Sequence, residues 1–240
     1  MSGGAPELRI LATLALAGLA ALDATPVAQT LFSQPLVTGA LLGALWGDWR
    51  TALEVGLVLQ ILAAATLPLG ARTPEDYAAG GVIGVAVALM AAARHPFEMA
   101  RESCAFLGVL AGLLAAVGGV ALLKWQRRRN EGLSRWCEAA LLAGHTGALG
   151  AAQRAAIFLS FAIGVTYCAA WLAVAAPLAT RFAGVESLRF ARMWSLAQPL
   201  WLGLGIAQLL HAFVQRQLAR AALFGVALVA AWLALMVGSP

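Results

Sequence analysis

The sequence predicts an all-α integral membrane protein: a polytopic bundle with broken or re-entrant helices in its N-terminal part and transmembrane spans in its C-terminal part. Three observations carry this. Apolar residues make up 62% of the chain and charged residues 11%, with a mean hydropathy of +0.84, against about 45–50% and about 25% in soluble domains. Apolar stretches follow one another with only short polar breaks. The early ones are shorter than the roughly 20 residues a helix needs to cross the hydrocarbon core, and Pro, Gly or charge interrupts or flanks each of them.

In chain order the stretches cover 10–21, 31–46, 53–69, 82–93, 105–123, 155–179, 194–213 and 221–237. The last four are long enough to span. The first four suit helices buried against protein rather than lipid, where freed backbone groups find partners. This divides the chain into a substrate-handling module, 1–103, and a transmembrane scaffold, 104–240. Small residues recur at helical spacing in 108–119 and read as close helix packing.

At the N-terminus Glu7 and Arg9 cancel in charge and Asp23 stands at the small-residue exit, which argues against a cleavable signal peptide. Cys104, Cys137 and Cys168 are too scattered for a metal site or disulfide framework and read as small apolar residues. Neither a catalytic constellation nor a cofactor motif is expected. The pI of 9.9 and net charge of +5 come largely from loop arginines, which set orientation rather than nucleic-acid affinity.

The strongest orientation signal is KWQRRRNEGLSRW, in which Lys124, Arg127, Arg128, Arg129 and Arg135 face one acid, Glu131. The positive-inside bias makes this a cytoplasmic basic loop. Beyond it Trp136, Ala140, Leu141, Gly144 and Ala148 share one helical face, so 133–154 is expected as an amphipathic helix on the cytoplasmic surface, the whole basic and amphipathic region being 124–154. Alternation of the remaining spans then makes the loop with Arg181, Glu186, Arg189 and Arg192 external, and that with Arg216 and Arg220 cytoplasmic.

Polar chemistry concentrates in the first third. Asp23, Asp48, Glu54, Glu75 and Asp76, with Gln34 and Gln60, are most of the strongly polar acceptors there. Ionisable groups in a bilayer cost about 2.5–3.5 kcal/mol each on insertion scales, so those retained face protein or a watery cavity.

SQPLVTGALLGALWGD, an amide about a dozen residues later, and then LPLGARTPED resemble the membrane subunit IIC of the mannose/fructose/sorbose family of the bacterial sugar phosphotransferase system. The resemblance is closest over 22–82 and continues through AGHTGALGAAQR, which is similar to that family's cytoplasmic helix. It implies a multi-pass, sugar-translocating subunit of the bacterial inner membrane. Its partners would be the sugar, a IID membrane subunit and cytoplasmic IIA/IIB phosphocarriers that hold the phosphorylated residues; an oligomeric complex in lipid is expected, with no nucleic acid.

A hexose both donates and accepts hydrogen bonds, so its site needs carboxylates or amides and backbone groups freed at helix breaks. Pro26, Pro35, Pro68 and Pro74 supply breaks. Gln34, Gln60, Glu75, Asp76 and Asp23 are the candidate sugar-binding residues, and Asp23 could equally cap a broken helix. Asp48, Pro35, Pro68 and Gly70 are expected to break or cap helices. His95, His145 and His211 are expected to be structural. By the resemblance, mannose-type members carry Glu where this chain has Gln60, and an aromatic residue and Asn where it has Thr66 and Pro68; TPED leaves Glu75 and Asp76 as alternative equivalents. Two other readings stand beside translocation: a regulatory or assembly protein derived from such a subunit, and an unrelated ion or metabolite transporter.

Overall fold

The computed structural model describes residues 6–24, 30–64, 73–95 and 97–214, then 216, 218–219, 221–226 and 229. Pro26, Thr66, Pro68 and Gly70 lie outside these, as does most of the span expected at 221–237. Among the described residues the fold is helical throughout: α1 (Pro6–Ala24), α2 (Pro35–Trp46), α3 (Trp49–Ala64), α4 (Tyr77–Ala92), α5 (Glu98–Leu142), α6 (Ala148–Val185) and α7 (Ser187–Phe213).

Local chemistry sets the short helices. Pro35 occupies the first turn of α2, where its missing N–H costs nothing. Gly47, at φ 79°, ends that helix and donates its N–H to the Gly43 carbonyl; only glycine adopts this left-handed geometry without strain. Asp48 then opens α3: its Oδ1 accepts from Thr51 N at 3.2 Å and its Oδ2 from Thr51 Oγ1 at 2.8 Å. WGDW is thus a two-residue turn joining two antiparallel half-length helices. At about 1.5 Å per residue α2, α3 and α4 run about 18–24 Å, short of a bilayer core.

The core centres on α4. Every residue from Gly80 to Leu89 is buried, as expected of a helix that is apolar all round. Its most extensive partner is α5, and glycine makes the approach possible. A Cβ on Gly84 would lie 2.8 Å from the Gly108 carbonyl oxygen and 3.0 Å from Gly112 Cα; one on Gly80 would lie 2.6 Å from the Gly112 oxygen. These backbones touch directly, the small-residue packing of membrane helices. Gly81 likewise admits Pro35, and Gly56 the Pro35 carbonyl, so the start of α2 is wedged between α3 and α4.

Three expectations change. The region 124–154 is not a basic loop followed by one helix over 133–154. Residues 124–142 continue α5, and 148–154 are the first turns of α6. No proline interrupts 98–142, and Leu, Lys, Arg, Gln, Glu and Ala favour continuation; the break comes at 143–147, where Gly144 takes φ 87°. The 45-residue α5 is about 68 Å long, twice a bilayer core, so its basic end projects with α6 as a helical hairpin. Secondly, the expected loop around 181–192 shrinks to Glu186, between α6 and α7, leaving Arg181, Arg189 and Arg192 on helices. Thirdly, the 103/104 division falls inside α5, whose first half is integral to the core.

Among the described residues, α5 from Ala100 and α6 are the helices long and apolar enough to cross a membrane.

Candidate functional site

Asp23, Gln34, Gln60, Glu75 and Asp76 gather where α2 and α4 begin and α3 ends, through three distinct arrangements, whereas Asp48 and Glu54 lie toward the start of α3. Asp23, 7% exposed near the end of α1, reaches across to the turn before α2. Its Oδ1 accepts from Thr30 N at 2.6 Å and Thr30 Oγ1 at 2.8 Å, and its Oδ2 from Ser33 N at 2.8 Å. The turn is tight: Leu31 sits at φ 69°, and its carbonyl accepts from Gln34 N at 3.1 Å. A leucine rarely adopts this geometry, and the three bonds to Asp23 hold it there. Asp23 is therefore a clamp between α1 and α2, and the bond to Ser33 fixes the residue preceding Gln34.

Gln34 and Gln60 meet although 26 positions separate them. Gln60 Nε2 donates to Gln34 Oε1 at 2.7 Å, and Gln60 Oε1 accepts from Leu36 N at 3.3 Å. Gln34 is the residue before α2 but does not cap it with its own side chain. Gln60 does so from α3, accepting one of the first-turn N–H groups that every helix leaves unpaired. Both glutamines are half-buried. The Gln34 amide nitrogen and the second N–H of Gln60 make no other bond among the described residues, so the pair retains donors directed by a fixed framework.

Asp76 belongs to a separate pocket. Its carboxylate caps α4 by accepting from Ala79 N at 3.0 Å, and its own N–H donates to the Ala116 carbonyl of α5 at 2.9 Å. Gly119 permits this contact, since a Cβ there would approach Asp76 Cβ to 2.6 Å. With Ala17, Gln126, Gly164 and Tyr167, Asp76 lines an enclosed cavity of about 30 Å³ between α1, α5 and α6. That holds about one water and no sugar. Glu75, half-buried beside it, accepts from Tyr77 N through its backbone carbonyl. Among the described residues no hydrogen bond joins Asp76 to the glutamine pair.

Gln126 and Tyr167 escape sequence reasoning. Gln126 Nε2 donates to Ser160 Oγ at 2.6 Å, and the Tyr167 hydroxyl donates to the Ala115 carbonyl at 2.7 Å. The basic run beginning at Lys124 masks the first as merely another surface polar residue. The second could have been suspected from an isolated tyrosine within an apolar span.

The histidines with described side chains bond to backbone. His95 Nε2 lies 2.9 Å from the Thr180 carbonyl, tying the α4–α5 turn to α6, and His145 Nδ1 lies 3.3 Å from the Ala140 carbonyl. No cluster of three potential metal ligands occurs among the described residues.

Comparison with solved structures finds the same architecture elsewhere. One, titled "Structure of membrane protein", superposes with a TM-score of 0.67 at 17% identity over 96% of each chain. A chain of the cryoEM structure of the mannose transporter ManYZ with microcin E492 gives 0.51 at 16% identity over 95% of each chain. At these identities the likeness is one of fold. No curated protein sequence matches. The family model for the sorbose-specific IIC component of the phosphotransferase system matches residues 8–238, nearly the whole chain, and the protein belongs to that family of membrane transport components.

Proposed function

We propose that this chain is the sugar-translocating IIC subunit of a phosphoenolpyruvate-dependent phosphotransferase system of the mannose/fructose/sorbose type. It works in the bacterial inner membrane as a multi-pass protein, in an oligomeric complex with a IID membrane subunit. Soluble IIA and IIB partners carry the phosphoryl group, and this chain supplies no phosphorylated residue.

The observation that carries the reading is the Gln34–Gln60 pair. It joins the break before α2 to the last turns of α3 and keeps amide donors unused beside a helix N-terminus. Sugar hydroxyls accept from those amides and donate to their remaining lone pairs. Neutral hydrogen bonds are worth about 0.5–1.5 kcal/mol each, which suits a subunit that must release its cargo. Gln34 and Gln60 form the contact; Asp23 positions Gln34 through the turn; Glu75 stands at the start of α4, which Asp76 caps. In this reading α1–α4 handle substrate, while α5 and α6 anchor them and present the basic hairpin to the cytoplasm.

Family membership sets aside the unrelated ion or metabolite transporter. Uptake separates translocation from a regulatory descendant. Cells expressing this chain with a IID partner and IIA/IIB proteins should accumulate a phosphorylated hexose only with phosphoenolpyruvate, and Gln34→Ala should abolish this in an assembled complex. An assembled complex that moves no hexose would overturn the reading.

A further inference from the structure

A second polar cavity opens at the other end of α3. Its volume is about 450 Å³, within the range of small-molecule sites, and it is lined by Arg50 and Glu54 of α3, Glu102 of α5, and Trp194, Ser195 and Gln198 of α7. Sequence reasoning left Glu54 without a role and did not single out Glu102 or Gln198.

The chemistry of this lining is specific. Arg50 Nε pairs with Glu54 Oε1 at 3.1 Å, an i,i+4 pair that offsets the charge of one carboxylate. Glu102 makes no hydrogen bond or ion pair among the described residues, so its carboxylate remains an open acceptor. Pro199 also borders the cavity from inside α7. Lacking an N–H, it cannot bond the carbonyl four residues back. That carbonyl belongs to Ser195, itself a lining residue, so it lacks its usual intrahelical donor. Trp194, buried against Trp201, borders the floor of the cavity with an apolar edge. Carboxylate, amide and a carbonyl without its usual helical partner are what a polyhydroxylated ring requires.

Position completes the case. Glu54 and Gln60 lie on one helix, about 9 Å apart along its axis. Glu102 and Lys124 lie about 33 Å apart along α5, close to the thickness of a bilayer core. The cavity therefore lies toward the membrane face opposite the basic hairpin, about 9 Å along α3 from the glutamine pair.

We propose that this cavity is a vestibular subsite for a monosaccharide, which binds there before passing along α3 to Gln34 and Gln60. Glu102 accepts from a pair of hydroxyls, and Gln198 and the Ser195 carbonyl bind the next. This inference rests on the sugar-translocation reading but makes a separate claim.

The test is protection of a thiol in the assembled complex with its membrane partner. Cys104, Cys137 and Cys168 are all buried, so Ser195→Cys introduces an accessible reporter. Its rate of reaction with an impermeant maleimide is measured with and without each member of a hexose panel, alongside phosphoenolpyruvate-dependent uptake of the same sugars. A sugar that the complex transports should slow the reaction at least about threefold. Adding Glu102→Gln should raise the protecting concentration roughly tenfold, as expected when a neutral amide replaces a charged acceptor, and should raise the half-saturating concentration for uptake in the otherwise native complex. Uptake without protection by any transported sugar overturns the subsite while translocation stands. Protection without uptake keeps the subsite and removes translocation. A thiol that never reacts shows that the partner seals the cavity, and also overturns the proposal.

Discussion

Glycine means opposite things in two parts of this molecule. Where α4 meets α5, Gly80, Gly84, Gly108 and Gly112 bring backbone against backbone, and an added Cβ would meet carbonyl oxygens or main-chain carbons at 2.6–3.2 Å. In the projecting hairpin, Gly132, Gly144 and Gly147 have nothing within 4 Å of an added Cβ. The first set exists for packing, because lipid supplies little hydrophobic drive between helices and close approach must supply the attraction. In the second, Gly144 provides a positive φ and Gly132 nothing visible. The core is specified by what does not fit, the hairpin by its turn.

The largest effect should come from filling the core. Gly84→Leu places a branched side chain where Gly108, Gly112 and Leu59 already stand, and two of those contacts are backbone that cannot rotate away. Overpacking usually costs about 1–3 kcal/mol and more where backbone must move. The expected outcome is loss of a monodisperse complex on size exclusion. A well-assembled Gly84→Leu protein would mean that α4 and α5 are farther apart than described.

Next comes the clamp. Asp23→Ala leaves Thr30 N and Ser33 N without acceptors and frees a turn containing Leu31 at positive φ, at a cost of about 2–3 kcal/mol. Asp23→Asn keeps one acceptor and should cost less. The expected order of thermal stability in detergent is native, Asn, Ala. Equal stability of the three would remove Asp23 from the scaffold and return it to the ligand.

Gln60 stands at the margin between scaffold and site. Gln60→Ala uncaps Leu36 N, worth about 1 kcal/mol. Gln60→Glu retains that acceptor at a helix N-terminus, where negative charge is favourable, and the Gln34 amide can turn to donate to it. The carboxylate variant should therefore assemble, with an altered order of hexose affinities measured by calorimetry. An unchanged order would leave Gln60 as a cap alone.

Local signals made much of this legible. WGDW gives a glycine stop followed by an aspartate start, and the short N-terminal apolar runs correspond to short, deeply packed helices. Five of the polar residues of the first third gather at one end of the core, while Asp48 and Glu54 lie toward the other end of α3; the pairing of Gln34 with Gln60 was hidden, because they meet only after α2 and α3 fold back on each other. The 133–154 error has a different origin. A helical stripe on Trp136, Ala140 and Leu141 does not say whether the helix is new or a continuation, nor whether its apolar face meets lipid or another helix. Here Leu133, Cys137 and Leu141 line a groove shared with α6, which periodicity could not reveal.

The smallest predicted effect tests the hairpin directly. Gly132 is exposed, helical and free of neighbours, and it interrupts a run of good helix formers. Alanine there should lower the entropy of the unfolded chain and improve helix propensity, stabilising by up to about 1 kcal/mol. In a chain of this size that is a rise of roughly 2 °C in melting temperature. The isolated chain and the complex with its membrane partner should be compared by the same thermal assay. If both gain, the outer face of α5 around Gly132 is open in the working assembly. If the isolated chain gains while the complex loses stability or fails to form, another helix packs on Gly132 as closely as α5 packs on Gly84, and the contrast between the two regions would belong to the single chain rather than to the assembled transporter.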